Sequence, residues 1–285
     1  MTRTTRRILF YIAIAIFLGA AYIIILYAQG YQYNFSTGQF VRSGAIYLKV
    51  NTGANVLIDG KEAGNTSLLS NSASIGSLLP ADHIVSVQKQ GWSVWQKKVT
   101  ITAGFVEDYT HVMLLPQIGQ DKENVRTEIH DLLYPPVASP SVTPSRSPTP
   151  TATPKKTPKP TPTPSPTPSP TPDHSGLYYI DNSSLFVRGQ DGAYVRIAGD
   201  VTTADISNDN QKLSWFSEGQ IWVYWFSDTN YQPFHHAGDI ALVTRFNYPI
   251  KAAEWFRDND HIAVDAGGLK VIEVDTRGGL NIINF

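Results

Sequence analysis

Gly53-Ala54-Asn55-Val56-Leu57-Ile58-Asp59-Gly60-Lys61 decides the class of fold. Val56 and Ile58 alternate with their neighbours and run into Asp59-Gly60, a hairpin signal because both turn positions tolerate positive φ. Upstream, Ile46, Leu48 and Val50 share one strand face, with Tyr47 and Lys49 on the other. Downstream, Val85 and Val87 mark a strand. Trp95, Val99 and Ile101 mark the next, with Gln96, Lys98 and Thr100 facing out, and Val112 and Leu114 close the set before Pro116. No 3.6-residue period occurs from Gly44 to Leu115. The pattern predicts an all-β sandwich over residues 44–116, small enough to be marginally stable alone.

The same stretch resembles the PEGA domain. Gly53 to Lys61 matches that family's Gly-Ala-x-Val-x-(Ile/Val)-Asp-Gly hairpin. Gly64-Asn65-Thr66, Leu79-Pro80, His83-Ile84-Val85-Ser86-Val87 and Lys89-Gln90-Gly91-Trp92 follow in the family's order. Ser67 stands where proline is usual, Ala81-Asp82 where glycine is usual, and Trp92 where tyrosine is usual. The resemblance implies a surface-layer or cell-envelope module that aids attachment or carbohydrate contact, without a catalytic role. Trp92 and Trp95 are the candidate ligand contacts, since indole faces pack well on sugar rings. The competing reading puts them in the core of a small domain, the more natural one for Trp95, which lies in phase with Val99.

Ahead of this region, Ile8 to Ala28 is an uncharged apolar run, ILFYIAIAIFLGAAYIIILYA, of bilayer-spanning length. Arg3, Arg6 and Arg7 precede it and no basic residue follows before Arg42. The positive-inside bias puts residues 1–7 in the cytoplasm and everything after Gln29 outside. Tyr27, Tyr31, Tyr33 and Phe35 fall where an interfacial aromatic belt belongs. The alternative is a cleavable signal peptide at Gly19-Ala20-Ala21, but the apolar run continues through Leu26, which suits an anchor better.

Residues 117–134 read as a connector. Residues 135–172 then hold 15 of the 19 prolines, with Thr, Ser, Lys and Ala making up nearly all the rest. Proline fixes φ and removes donors, so this segment reads as a disordered, polyproline-II spacer between two domains.

Residues 173–285 return to strands. Leu177–Ile180 and Leu185–Val187 flank Asp181-Asn182-Ser183-Ser184; Leu213–Phe216 and Ile221–Phe226 flank Ser217-Glu218-Gly219-Gln220; Ile262–Val264 and Leu269–Val274 flank Asp265-Ala266-Gly267-Gly268. Recurring units of this kind suggest propeller blades. Both faces of Ile221-Trp222-Val223-Tyr224-Trp225-Phe226 are apolar, as in a strand covered on two sides. Ser207-Asn208-Asp209-Asn210-Gln211-Lys212-Leu213 followed by Ile221-Trp222-Val223-Tyr224 resembles Tricorn- and TolB-like propeller repeats. Three blades cannot close, so the expectation is a partial propeller, either a fragment of a longer reading frame or one completed by another chain.

Charge divides along the chain. Residues 1–172 hold 15 Lys+Arg against 9 Asp+Glu, and residues 173–285 hold 8 against 15. The overall net charge of −1 argues against nucleic acid as a partner. Zero cysteines exclude disulfides, thiolate metal sites and a cysteine nucleophile. No His-Glu-x-x-His, Gly-x-Ser-x-Gly or Gly-x-Gly-x-x-Gly occurs. His235-His236 reads as a loop pair rather than a metal site. The fold class is therefore mainly β: a transmembrane helix, a PEGA-like sandwich, a proline-rich linker and propeller-like repeats. The function expected is non-enzymatic and cofactor-free display outside the cytoplasm. Its partners are the bilayer through residues 8–28, a cell-wall or surface glycan, and a protein at the propeller-like region. The alternative is an extracytoplasmic sensor or accessory subunit that binds a protein or peptide.

Overall fold

The uncharged run 8–28 belongs to a longer helix, α1 (Arg3–Ala28), in the computed structural model, which describes residues 2–136, 176–189 and 191–285. Thr2 caps it, its hydroxyl accepting from the Thr5 N–H at 3.2 Å. Arg3, Arg6 and Arg7, expected as a tail, form its first turns. Its apolar window has a mean hydropathy of 2.7 and none of it is buried, so the helix is long and apolar enough to cross a membrane. After Gly30 come β1 (Tyr31–Asn34) and β2 (Gln39–Arg42), an antiparallel hairpin where only an aromatic belt was expected.

Seven strands follow: β3 (Gly44–Val50), β4 (Asn55–Ile58), β5 (Lys61–Asn65), β6 (Ser72–Leu78), β7 (Asp82–Gln88), β8 (Trp95–Thr100) and β9 (Val106–Val112). They form two sheets, ordered β6-β3-β9 and β5-β4-β7-β8. Asp59 and Gly60 take φ of 50° and 76°, the two positive values their hairpin turn demands. The alternating side chains Ile46, Leu48, Val56, Val85, Val87, Trp95 and Val99 make one buried core. Strand β9 pairs with β3 in parallel, a pairing that alternation alone does not reveal.

The stretch 117–134, expected as a connector, holds α2 (Gly119–Leu133). Val125, Ile129 and Leu133, spaced i, i+4, i+8, bury one stripe with Met113, Leu115, Phe256, Ala263, Val271 and Ile283. The stripe is narrow, and apart from Leu132 and the starting glycine the rest of the helix is polar, which is why its signal is weak in the sequence.

The remaining strands form successive antiparallel meanders. β10 (Tyr178–Asp181), β11 (Ser184–Arg188) and β12 (Tyr194–Ala198) make a three-stranded sheet. β13 (Thr203–Ile206), β14 (Lys212–Ser217), β15 (Gln220–Trp225) and β16 (Ile240–Arg245) make a four-stranded one. β17 (Ala252–Trp255), β18 (His261–Asp265), β19 (Leu269–Glu273) and β20 (Ile282–Asn284) make another. The turns fall where the sequence placed them: Asp181 pairs with Ser184, Ser217 with Gln220 and Asp265 with Leu269. No closed barrel or propeller is formed among the described residues.

The sequence reading divides the chain into a sandwich, a spacer and a region over 173–285; contacts in the structure group the residues into two units. The described residues of 1–134 and 201–285 form one compact unit, and the described residues between them, 135–200, belong to a second. The last two sheets therefore belong with the sandwich, and the chain leaves that body after Tyr134 and rejoins it at Val201. Most of the expected spacer, residues 137–172, lies outside the described residues.

Candidate functional site

Trp92 and Trp95 go to different places. Trp92 is partly buried against the sandwich core, bridged to Pro116, with the Lys89 ammonium 4.0 Å from its ring centre. One indole face is thus occupied by a cation. Trp95 is 1% exposed and packs edge-to-face on Tyr109, ring centres 5.4 Å apart. Its position is that of the core reading, and its ring is closed to a sugar. Its Nε1–H donates to Glu273 Oε2 at 3.0 Å, and that bond leads into a joint between the sandwich and the last two sheets.

Strand β8 supplies one side of the joint. Trp95, Lys97 and Val99 face inward, so alternation drives a lysine into the interior. Lys97 is 1% exposed; its ammonium lies 3.3 Å from Glu273 and also donates to the Asp275 carbonyl. Asn281 donates to the same Glu273 oxygen at 2.9 Å and accepts from the Gln96 N–H at 3.1 Å. Burial pushes the Glu273 carboxyl above the usual glutamate range, against the pull of Lys97. The edge of β8 is closed by the turn before β20, where the Lys98 N–H donates to the Gly278 carbonyl at 2.9 Å.

Arg277 extends the joint to β9. Its guanidinium donates to the Asp108 carbonyl at 2.8 Å, to Gln232 at 2.9 Å and to Asp275 at 2.7 Å, and lies 4.3 Å from the Tyr109 ring centre. Burial pushes the Tyr109 hydroxyl up to about 12. Beyond it, Lys212 Nζ donates at 2.7 Å to Tyr231, the Asn259 carbonyl and Asp260. The His111 ring lies 3.5 Å from Asp260 and 4.7 Å, centre to centre, from Tyr231. Next to it the buried His261 bonds Asp258 at 3.0 Å. Burial opposes the His261 imidazolium, yet Asp258, Glu273 and Asp260 raise its pKa above the ordinary histidine value. The cavity among Tyr109, His111, Tyr231 and Asp260 measures about 20 Å³, room for a single water. Its scale fits a fastening of paired charges, not a substrate pocket.

A more open recess of the same unit lies elsewhere. A groove of about 820 Å³ runs between α2 and one end of the last sheet, at the β18–β19 turn and the chain around Lys251 and Phe285, lined by Arg126, His130, Tyr134, Lys251, Asp265 and Phe285 among others. Tyr134 donates to Asp265 at 2.8 Å, and Lys251 lies 3.5 Å from the same carboxylate. Burial together with Asp265 pushes the Tyr134 hydroxyl up to about 12. Arg126 and Lys251 are exposed, Arg126 lying 3.9 Å from Glu123, a second acid on the groove wall, and Lys251 beside Asp265.

The sequence reading missed both the joint and the groove. Lys97 carried a signal, a charge on the inward face of a strand, which calls for an acid from elsewhere in the chain. The groove carried none, since α2 was not foreseen. His235 stacks on Trp225 at 3.8 Å and His236 is exposed near Asp228. Among the described residues, no group of three His, Cys, Asp or Glu side chains is placed to hold a metal ion. Comparison with known protein families finds no model that matches this chain, and comparison with characterised proteins finds no match either.

Proposed function

We propose that this chain is a non-enzymatic, membrane-anchored cell-envelope protein that presents one β body outside the cytoplasm. The observation that carries the reading is α1, whose first turns hold three arginines and whose following apolar run has no buried residue among the described residues. The PEGA-like motifs of residues 44–116 and the Tricorn- and TolB-like motifs after Ser207 support an envelope setting and a binding role. Because residues 201–285 share a unit with the sandwich, the body is displayed close to the bilayer and not at the tip of a rod. A surface glycan remains the ligand proposed for the face around Trp92.

Two treatments test the anchor. Alkaline carbonate should leave the intact chain in the membrane pellet, and protease added to spheroplasts should digest the part after Gln29. Release by carbonate, or protection from protease, overturns the reading.

The groove beside α2 favours the second reading, a sensor or accessory subunit that holds a protein or peptide partner. On that reading Arg126→Glu with Lys251→Glu abolishes stoichiometric co-purification of one partner with the full chain. A partner retained by that variant argues against the groove.

A further inference from the structure

The link between α1 and the β body is short and specifically bonded. Only Gln29 and Gly30 separate Ala28 from Tyr31. Ser43, just past β2, donates from both its N–H and its hydroxyl to the Gly30 carbonyl, each at 2.8 Å. The Ser43 carbonyl in turn accepts from the Gly104 N–H at 3.0 Å, and the Ala45 N–H donates to the Phe105 carbonyl at 3.0 Å. The β1–β2 hairpin and the loop before β9 are thereby held at the same end of α1.

The hairpin turn and the loop carry exposed apolar groups, and Tyr31, Tyr33 and Phe40 on the hairpin are half-buried. Pairing of Tyr33 with Phe40 and of Tyr31 with Arg42 gives the hairpin one face of Tyr31, Tyr33, Phe40 and Arg42 and another of Gln32, Asn34, Gln39 and Val41. Phe40 meets Tyr27, in the last turn of α1, edge-to-face at 6.2 Å, and Phe35 meets Tyr33 at 5.0 Å. Phe35 is 89% exposed, Phe105 65% and Val106 51%.

We propose that this end of the β body is a second membrane contact. The aromatic face of the hairpin and the Phe105–Val106 edge lie in the headgroup–acyl boundary of the leaflet from which α1 emerges, with Arg42 reaching lipid phosphates. The proposal rests on the reading of α1 as a bilayer span. Three features select lipid over a protein partner. The face is continuous with the uncovered surface of α1 through the Tyr27–Phe40 contact. A two-residue link keeps the start of the hairpin within about 10 Å of the helix end. Tyr and Phe with one Arg is the side-chain mixture that settles at the interface, where apolar rings enter by about 5–10 Å. The contact would fix the height and tilt of the β body above the leaflet, an orientation a lone helix does not set.

Absence of native cysteine makes the test direct. Single variants Ile16→Cys, Phe35→Cys, Lys61→Cys and Phe105→Cys of the full chain are spin-labelled and reconstituted in phosphatidylcholine–phosphatidylglycerol vesicles. Relaxation by dissolved oxygen and by a water-soluble nickel chelate then reports depth. Labels at 35 and 105 should show several-fold weaker relaxation by nickel than the label at 61, with 16 the deepest. If 16 is buried in lipid while 35 or 105 is as nickel-accessible as 61, the second contact is overturned and the anchor stands. A label at 16 that is itself nickel-accessible overturns the anchor and this proposal with it.

Discussion

Lys97 is the residue on which the interior of the joint turns. Its charge lies beside Glu273 with both side chains buried. Removing one member of such a pair leaves the other desolvated, at a cost of about 3–5 kcal/mol, whereas replacing both with apolar groups is often neutral. Lys97→Met should therefore destabilise strongly at neutral pH, and Lys97→Met with Glu273→Leu should lose less in urea unfolding than the two single variants summed, although Trp95 and Asn281 then lack their acceptor. A double-variant loss equal to the sum of the Lys97→Met and Glu273→Leu losses would show that the pair is not coupled. His261 adds a pH dependence. Its folded pKa is raised above the unfolded value of about 6.5. Its charge thus contributes stability that is complete below about pH 6.5 and is lost as pH rises through the raised value. The difference in Tm between wild type and His261→Gln should shrink across that window. A difference that stays constant with pH would remove His261 from the account.

At the scale of the element, α2 joins the exit of the sandwich to the last sheet through a stripe three residues wide. Ile129 is wholly buried between Leu115 and the side chains of β18 and β19. Ile129→Ala should cost about 2–5 kcal/mol, and denaturant titration of the full chain in detergent measures it. Loss of less than about 1 kcal/mol, the level of an ordinary surface change, would show that α2 merely rests on the sheet. This helix also marks the limit of what the sequence discloses. Alternation at Ile46–Val50 and Trp95–Ile101, and turn chemistry at Asp59-Gly60 and Glu218-Gly219, are local signals, and strands and turns were legible from them. Val125, Ile129 and Leu133, with Leu132 beside them, form a faint helical signal amid mostly polar neighbours. The parallel pairing of β9 with β3 and the acid partner of Lys97 are long-range facts, fixed by packing and absent from any window of sequence. Of the candidate site, Trp95 was legible as core, while the groove was hidden behind an unforeseen helix.

For the whole molecule the decisive question is whether residues 201–285 are held by the body or only by the chain. The polar joint answers for the body: β8 closes against the turn at Gly278, whose φ is 63° and whose added Cβ would lie 2.1 Å from the Lys98 carbonyl oxygen. That neighbour is backbone and cannot swing aside, so Gly278→Val should open the joint at a cost of about 2–4 kcal/mol from strain and the lost bond. A specific protease site placed in the proline-rich stretch turns the cost into a visible outcome. After cleavage of the wild-type protein in vesicles, the carboxyl-terminal fragment should stay in the membrane pellet, held by Glu273, Arg277 and the α2 stripe. The same fragment carrying Gly278→Val should pass to the supernatant in larger measure. If the cleaved wild-type fragment is released as readily as the variant, covalent connection alone had kept it there. The two sheets would then be a tethered domain, and the single β body at the bilayer would be lost with the joint.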